Sequence, residues 1–185
     1  VDSSIHKIQN DDYLILCSGE NIKKNITKTI LNWVRKQARK QIYIGSICTG
    51  TYILAKAGII SDVTSTIHWE NRESLKEEFE NLNITDSIYT IDKNRFSAAG
   101  GTASIDLMLN IISQDHGVSF AKKIADQVLH DSIRTEFDRQ LPLLPNRIGV
   151  RNPKILSAIK IMEINIEEPL KPSDIALDLR ISLRQ

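Results

Sequence analysis

Ile42-Tyr43-Ile44-Gly45-Ser46-Ile47-Cys48-Thr49-Gly50 decides the fold. The stretch reads as a strand that runs through a turn of small residues into Tyr52-Ile53-Leu54-Ala55-Lys56-Ala57-Gly58, a short helix stopped by glycine. Such a strand, sharp turn and helix presents Cys48 at the carboxyl edge of a sheet, beside helix amides that favour a thiolate. Nucleophile elbows are built this way. A buried cysteine packed like a small hydrophobe is the plainer alternative.

Outward from this unit, strands and helices alternate, the pattern of an α/β layer with helices packed on a mainly parallel sheet. Asp12-Tyr13-Leu14-Ile15-Leu16-Cys17 is a short apolar run and predicts a buried central strand. Between Ile22 and Lys40, Ile22, Ile26, Ile30, Trp33, Val34 and Ala38 recur at helical spacing and predict one amphipathic helix. A surface helix follows from Glu70 to Glu80. Strands are predicted over Ile88 to Asp92 and Arg95 to Ala98, joined by Asp92-Lys93-Asn94. After Gly100-Gly101 comes a helix apolar around most of its circumference, and Ser119 to His130 supplies another.

Periodicity lapses between Asp131 and Asn152, where Pro142, Pro145 and Gly149 interrupt it, so residues 1–130 form one domain and 131–152 a linker. Asn152-Pro153 then reads as an N-cap followed by proline in the first turn, with Ile155, Ile159, Met162 and Ile166 continuing the helix. Pro169 to Asp174 turns the chain into a shorter helix through Ile175, Ala176 and Leu179. The remaining residues, Arg180 to Gln185, would open a third.

Composition sets bounds on function. The 185 residues carry 24 basic and 23 acidic side chains, a net charge of +1, so bulk charge does not hold this chain on nucleic acid. No apolar run approaches the ~18 residues of a membrane span, and the opening residues lack the pattern of a signal peptide, which together predict a cytoplasmic protein without a membrane partner. Two cysteines, Cys17 and Cys48, are too few for a disulfide framework or a paired-ligand zinc site. No metal and no cofactor are expected.

Around the elbow, His68 in Thr66-Ile67-His68-Trp69-Glu70 is the best candidate base for Cys48, since Thr49 cannot serve. A histidine at a helix start can equally well satisfy backbone groups. Trp69 and Tyr52 are either core aromatics or the walls of a pocket for an apolar or cationic molecule. Gly101 and Thr102, before an apolar helix, suggest a carboxylate held at the helix start, although close packing explains the paired glycines as well. His116 and His130 are read as helix C-terminal caps and His6 as part of a frayed start.

The stretches Gly45 to Gly50, Leu54 to Gly58, Thr66 to Glu70 and Ser97 to Asp106 together resemble the sensor domain of AraC-type transcription regulators, built on the class I glutamine-amidotransferase-like (PfpI-like) fold. Independently, Met162 to Leu170, Asp174-Ile175-Ala176 and Ile181 to Gln185 resemble the opening of an AraC-type helix-turn-helix domain. Ile133-Arg134, Arg139-Gln140 and Arg147-Ile148-Gly149 are similar to regulators of quaternary-amine and amino-acid catabolism, including those answering glycine betaine, carnitine or arginine.

The resemblance implies a three-layer α/β sandwich lacking its first strands, followed by a truncated helix-turn-helix segment over 153–185. It implies a homodimeric regulator, usually an activator, that senses a small effector and binds promoter DNA in its full-length form. Cys48, Thr49, His68, Trp69, Gly101 and Thr102 are the expected ligand-binding residues, and Ser182, Arg184 and Gln185 the expected DNA-contacting ones. With the reading helix barely begun, a chain ending at Gln185 is not expected to recognise an operator. The same resemblance leaves an alternative, a PfpI-like cysteine hydrolase or hydratase using Cys48 and His68. PfpI-like enzymes often carry histidine after the cysteine, where Thr49 stands here, so the expectation is a catalytically degenerate fold.

Overall fold

The computed structural model describes residues 13–140 and 152–183, which form two compact units divided after Gln140. In the first, β1 (Tyr13–Ser18), β2 (Tyr43–Cys48), β5 (Tyr89–Asp92) and β6 (Arg95–Ala98) make a sheet in the order β1-β2-β6-β5. The pairs β1–β2 and β2–β6 are parallel, while β5 returns antiparallel to β6 through the turn at Lys93, whose φ is 56°. A second sheet of two short parallel strands, β3 (Thr64–Thr66) and β4 (Asn83–Thr85), lies beside it.

Side chains alternate across the main sheet and feed two cores, as successive strand residues must. Leu14 and Leu16 pack with the cluster of Val34, Ile44, Leu54, Ile67 and Leu75, whereas Ile15 packs with Phe96, Leu107 and Ile111. The first core is covered by α2 (Lys28–Ala38), α3 (Thr51–Ala57) and α4 (Trp69–Glu78), the second by α5 (Ala103–His116). α6 (Val118–Gln127) packs on α5 through Leu109, Ala121 and Ala125. Helices on both faces of a mostly parallel sheet give the expected three-layer α/β arrangement.

Several local expectations are corrected. The strand expected from Asp12 to Cys17 is β1, which stands at one end of the described sheet and not at its centre; Tyr13 is 39% exposed and stacks on Tyr43. Asp12 lies outside the described residues. The single helix expected from Ile22 to Lys40 is two, α1 (Ile22–Asn25) and α2, because Ile26 is extended and the Thr27 hydroxyl caps α2 by accepting from the Ile30 N–H at 3.2 Å. The helix expected to reach His130 ends at Gln127, and Leu129 takes a left-handed φ of 55°. The backbone N–H groups of Leu129 and His130 then donate to the Asp126 and Ala125 carbonyls at 3.2 Å and 2.9 Å, so His130 closes the helix end through its backbone while its ring bonds Asp106.

In the second unit, α7 (Pro153–Ile164) starts as the sequence indicates, with the Asn152 side chain accepting from the Lys154 N–H at 3.0 Å. It stops at Ile164, short of Ile166. α8 (Pro172–Asp178) follows, and the description continues to Leu183. Arg147, Arg184, Gln185 and His6 lie outside the described residues. Of the segment read as linker, residues 131–140 belong to the first unit and 141–151 lie outside the described residues.

Candidate functional site

The elbow forms where β2 hands over to α3. Cys48 carries φ of 58°, a conformation costly for a residue with a Cβ, and this turns its side chain out of the strand at the carboxyl end of the sheet. The neighbouring parallel strand β6 ends beside it, so Gly100 backs directly onto the cysteine. A Cβ at Gly100 would stand 2.9 Å from Cys48 Cβ and 3.3 Å from its Sγ, and Gly100 itself has φ of 100°. Both the contact and the dihedral require glycine there.

Thr49 does not face the thiol. Its buried hydroxyl donates to the Gly19 carbonyl at 2.6 Å, clamping the loop after β1 against the elbow. That clamp shapes a cavity of about 240 Å³ whose lining includes Thr49, Tyr52, Asn21, Lys24, Asn71 and Ser74. Tyr52 donates its hydroxyl to Glu78, which also binds Lys23 at 2.9 Å and Lys56 at 2.6 Å. The Lys56, Tyr52 and Lys23 donors hold the Glu78 carboxyl down at about 2. Burial, followed by this hydrogen bond, raises the Tyr52 phenol.

The remaining expected residues are dispersed around this centre. His68 is the N-cap residue of α4 without a side-chain cap bond; its Nδ1 lies 3.7 Å from Glu70 and its ring 5.7 Å from that of Trp69. Among the described residues no hydrogen bond joins His68 to Cys48. Trp69 is 40% exposed and does not line the cavity with Tyr52. Gly101 is exposed, and the Thr102 hydroxyl accepts from Arg134 at 2.7 Å. No group of His, Cys, Asp and Glu side chains among the described residues is placed to hold a metal ion. No described helix is long and apolar enough to cross a membrane.

Below the elbow, a buried polar chain ties the two sheets together. Ser46 bonds Thr51 at 2.8 Å, Thr51 donates to the Thr66 carbonyl at 2.7 Å, and the Thr66 N–H donates to Ser97 Oγ at 2.7 Å. Each hydroxyl is satisfied, as burial demands. This chain fixes the end of β3, and hence His68, relative to Cys48.

Residues 1–114 match the model of the DJ-1/PfpI family. The chain belongs to that family. It is 33% identical over 174 residues to the HTH-type transcriptional regulator GbdR of Pseudomonas aeruginosa, covering 94% of this chain and 47% of the relative. It is 34% identical over 184 residues to the HTH-type transcriptional regulator CdhR of the same species, covering 100% of this chain and 55% of the relative. The chain thus spans about half the length of the curated relatives it matches. Its structure is similar to that of an AraC family transcriptional regulator from Pseudomonas putida, with a TM-score of 0.56 and 27% identity over 63% of each chain.

Beyond the residues matched to the DJ-1/PfpI family, the domain carries a strap that sequence reasoning missed. Asp106, wholly buried in the first turn of α5, accepts from His130 Nε2 at 2.8 Å, the Arg134 backbone N–H at 2.8 Å and the Arg134 guanidinium at 2.6 Å and 2.9 Å. At the far end, Gln140 Nε2 donates to Thr66 Oγ1 at 2.9 Å and to the Ile67 carbonyl at 2.8 Å. Between them the Asp138 carbonyl accepts from the Ile88 N–H, and Ser87 bridges Arg139. The start of α5, which follows the Gly100 that backs onto Cys48, and the end of β3, which Thr51 holds to the elbow helix, are thereby both bonded to residues 130–140. An aspartate in the first turn, set between the apolar Ile105 and Leu107, was the available signal for this cluster.

Proposed function

We propose that this chain is part of a cytoplasmic DNA-binding transcription regulator, an activator acting as a homodimer, in which the DJ-1/PfpI domain senses a small metabolite. The similarity to regulators named HTH-type runs through both units of the chain, and this observation carries the reading. The ligand site is the elbow and its surroundings, Cys48, Thr49, His68, Trp69, Gly101 and Thr102, and the effector is a quaternary amine or an amino acid. Ser182, Arg184 and Gln185 contribute to DNA contact in the full-length protein. Catalysis is disfavoured by the committed Thr49 hydroxyl and by the lack of a bond between Cys48 and His68 among the described residues.

The strap supplies a physical basis for coupling. Its bonds to α5 and to β3 place residues leading into the second unit in direct contact with the elements that flank the elbow. A ligand that shifts either element alters the stability of those bonds, which is the requirement for signalling between sites.

The test uses the intact regulator. Isothermal titration with glycine betaine, carnitine and arginine should give saturable heat for at least one, and that compound should change the affinity for promoter DNA in a mobility-shift assay. Heat with none of the three overturns the effector class. Turnover of any compound, abolished by Cys48→Ser, overturns the regulator reading in favour of an enzyme.

A further inference from the structure

We infer that the cavity beside Thr49 is a carboxylate subsite, in which the effector's anionic end is held by Lys24, Asn71 and Asn21. This inference rests on the sensing role proposed above and names the chemistry of the ligand. The cavity presents two lysines, Lys23 and Lys24, and the polar side chains of Asn21, Asn71 and Ser74 around an apolar floor that includes Ile22 and Ile67. Among the described residues no acidic side chain lines it.

The charges are unbalanced in one direction. Glu78 compensates only one of its two partners, since two ammonium groups, Lys23 and Lys56, face one carboxylate. Lys24 adds a further positive charge and has no ion-pair partner among the described residues. Asn71 and Ser74 stand three residues apart on α4 and so share one face, and neither side chain makes a hydrogen bond among the described residues. These donors meet from two separate segments, the α1 region and α4, at a depression that also touches Thr49, the residue following the elbow cysteine.

A cationic ligand group finds no equivalent seat there. The Tyr52 ring is already flanked by Lys23 at 5.1 Å and Lys56 at 5.8 Å, so a trimethylammonium or guanidinium would meet like charge at this aromatic wall of the cavity. The start of α5 is the less favourable seat for a carboxylate, because the Thr102 hydroxyl accepts from Arg134 and the first turn holds Asp106. A volume of about 240 Å³ lies below the ~300 Å³ at which drug-sized sites begin and suits a small metabolite. Thr49, which lines the cavity and bonds the Gly19 carbonyl, places it one residue from Cys48.

Isothermal titration of the intact regulator with matched probes tests this. Arginine is compared with agmatine, glycine betaine with choline, and inorganic phosphate is titrated separately. A carboxylate probe should bind at least tenfold more tightly than its partner lacking the carboxylate, and Lys24→Glu and Asn71→Leu should each weaken it at least fivefold. Equal affinity for a matched pair, or phosphate binding without carboxylate binding, overturns the inference. If a carboxylate probe binds but neither substitution weakens it, while Cys48→Trp abolishes binding, the subsite is wrong and the sensing role stands. Heat with no probe overturns both.

Discussion

The Arg134 guanidinium closes on the fully buried Asp106 carboxylate through Nε at 2.9 Å and Nη2 at 2.6 Å, from a position 28 residues further along the chain. The two partners are not equivalent, because Arg134 keeps 36% of its side chain exposed and Asp106 none. Arg134→Ala strands a carboxylate in the interior with only His130 and one backbone N–H, and should cost about 3 kcal/mol or more. Asp106→Asn leaves a guanidinium that can turn to water, so the loss should be smaller. Urea denaturation of both variants checks the order; equal losses would contradict it.

Gly100→Ala places a methyl group 2.9 Å from Cys48 Cβ at a φ of 100°, and should destabilise the domain by about 2 kcal/mol or more. Gly101→Ala, with no atom within 4 Å of the new Cβ and φ of 55°, should lose about 1 kcal/mol. Because the nearest atom is Cβ, Cys48→Ala should not rescue Gly100→Ala, whereas Cys48→Gly should do so in part. Melting temperatures of the four variants decide this.

Glu78 sets an acid limit. Lys56, Tyr52 and Lys23 depress its carboxyl from the usual 4.5 to about 2 in the folded state. A depressed carboxyl stabilises the fold in full above its unfolded value and loses that contribution as pH falls through its folded value. The difference in melting temperature between the natural protein and Glu78→Gln should therefore be constant from pH 7 to about pH 5 and shrink between about 4.5 and 2. A difference independent of pH over that interval would exclude this role.

Asn152→Ala removes the acceptor that meets the Lys154 N–H and should cost α7 about 1 kcal/mol, with Asn152→Asp retaining most of it. Helix content by circular dichroism across a thermal melt reports the change in the second unit.

What could be read in the sequence was local. The β2 to α3 elbow was legible because a strand, small turn residues and a helix stopped by glycine follow one another without interruption, and α7 because Asn152-Pro153 announces a helix start. β3 and β4 were not, since Thr64-Ser65-Thr66 and Asn83-Ile84-Thr85 are too short for a period and owe their place to buried hydroxyl bonds. The break at Ile26 was hidden because the apolar repeat continues across it while only Thr27 marks the new start. Within the site, Cys48 and Thr49 were found at the elbow, but Lys23 and Lys56 lie in separate predicted helices that give no sign of meeting at Tyr52. Their meeting with Glu78, 55 residues beyond Lys23, is a product of tertiary folding.

The strap also dictates where the molecule can be dissected. A fragment stopping at residue 130 would discard Arg134 and leave the Asp106 charge sealed in α5 with one imidazole, whereas a fragment extended through Gln140 keeps every bond to that carboxylate and to Thr66. Ten residues of irregular chain thus separate a module whose buried carboxylate is fully paired from one with an open electrostatic wound.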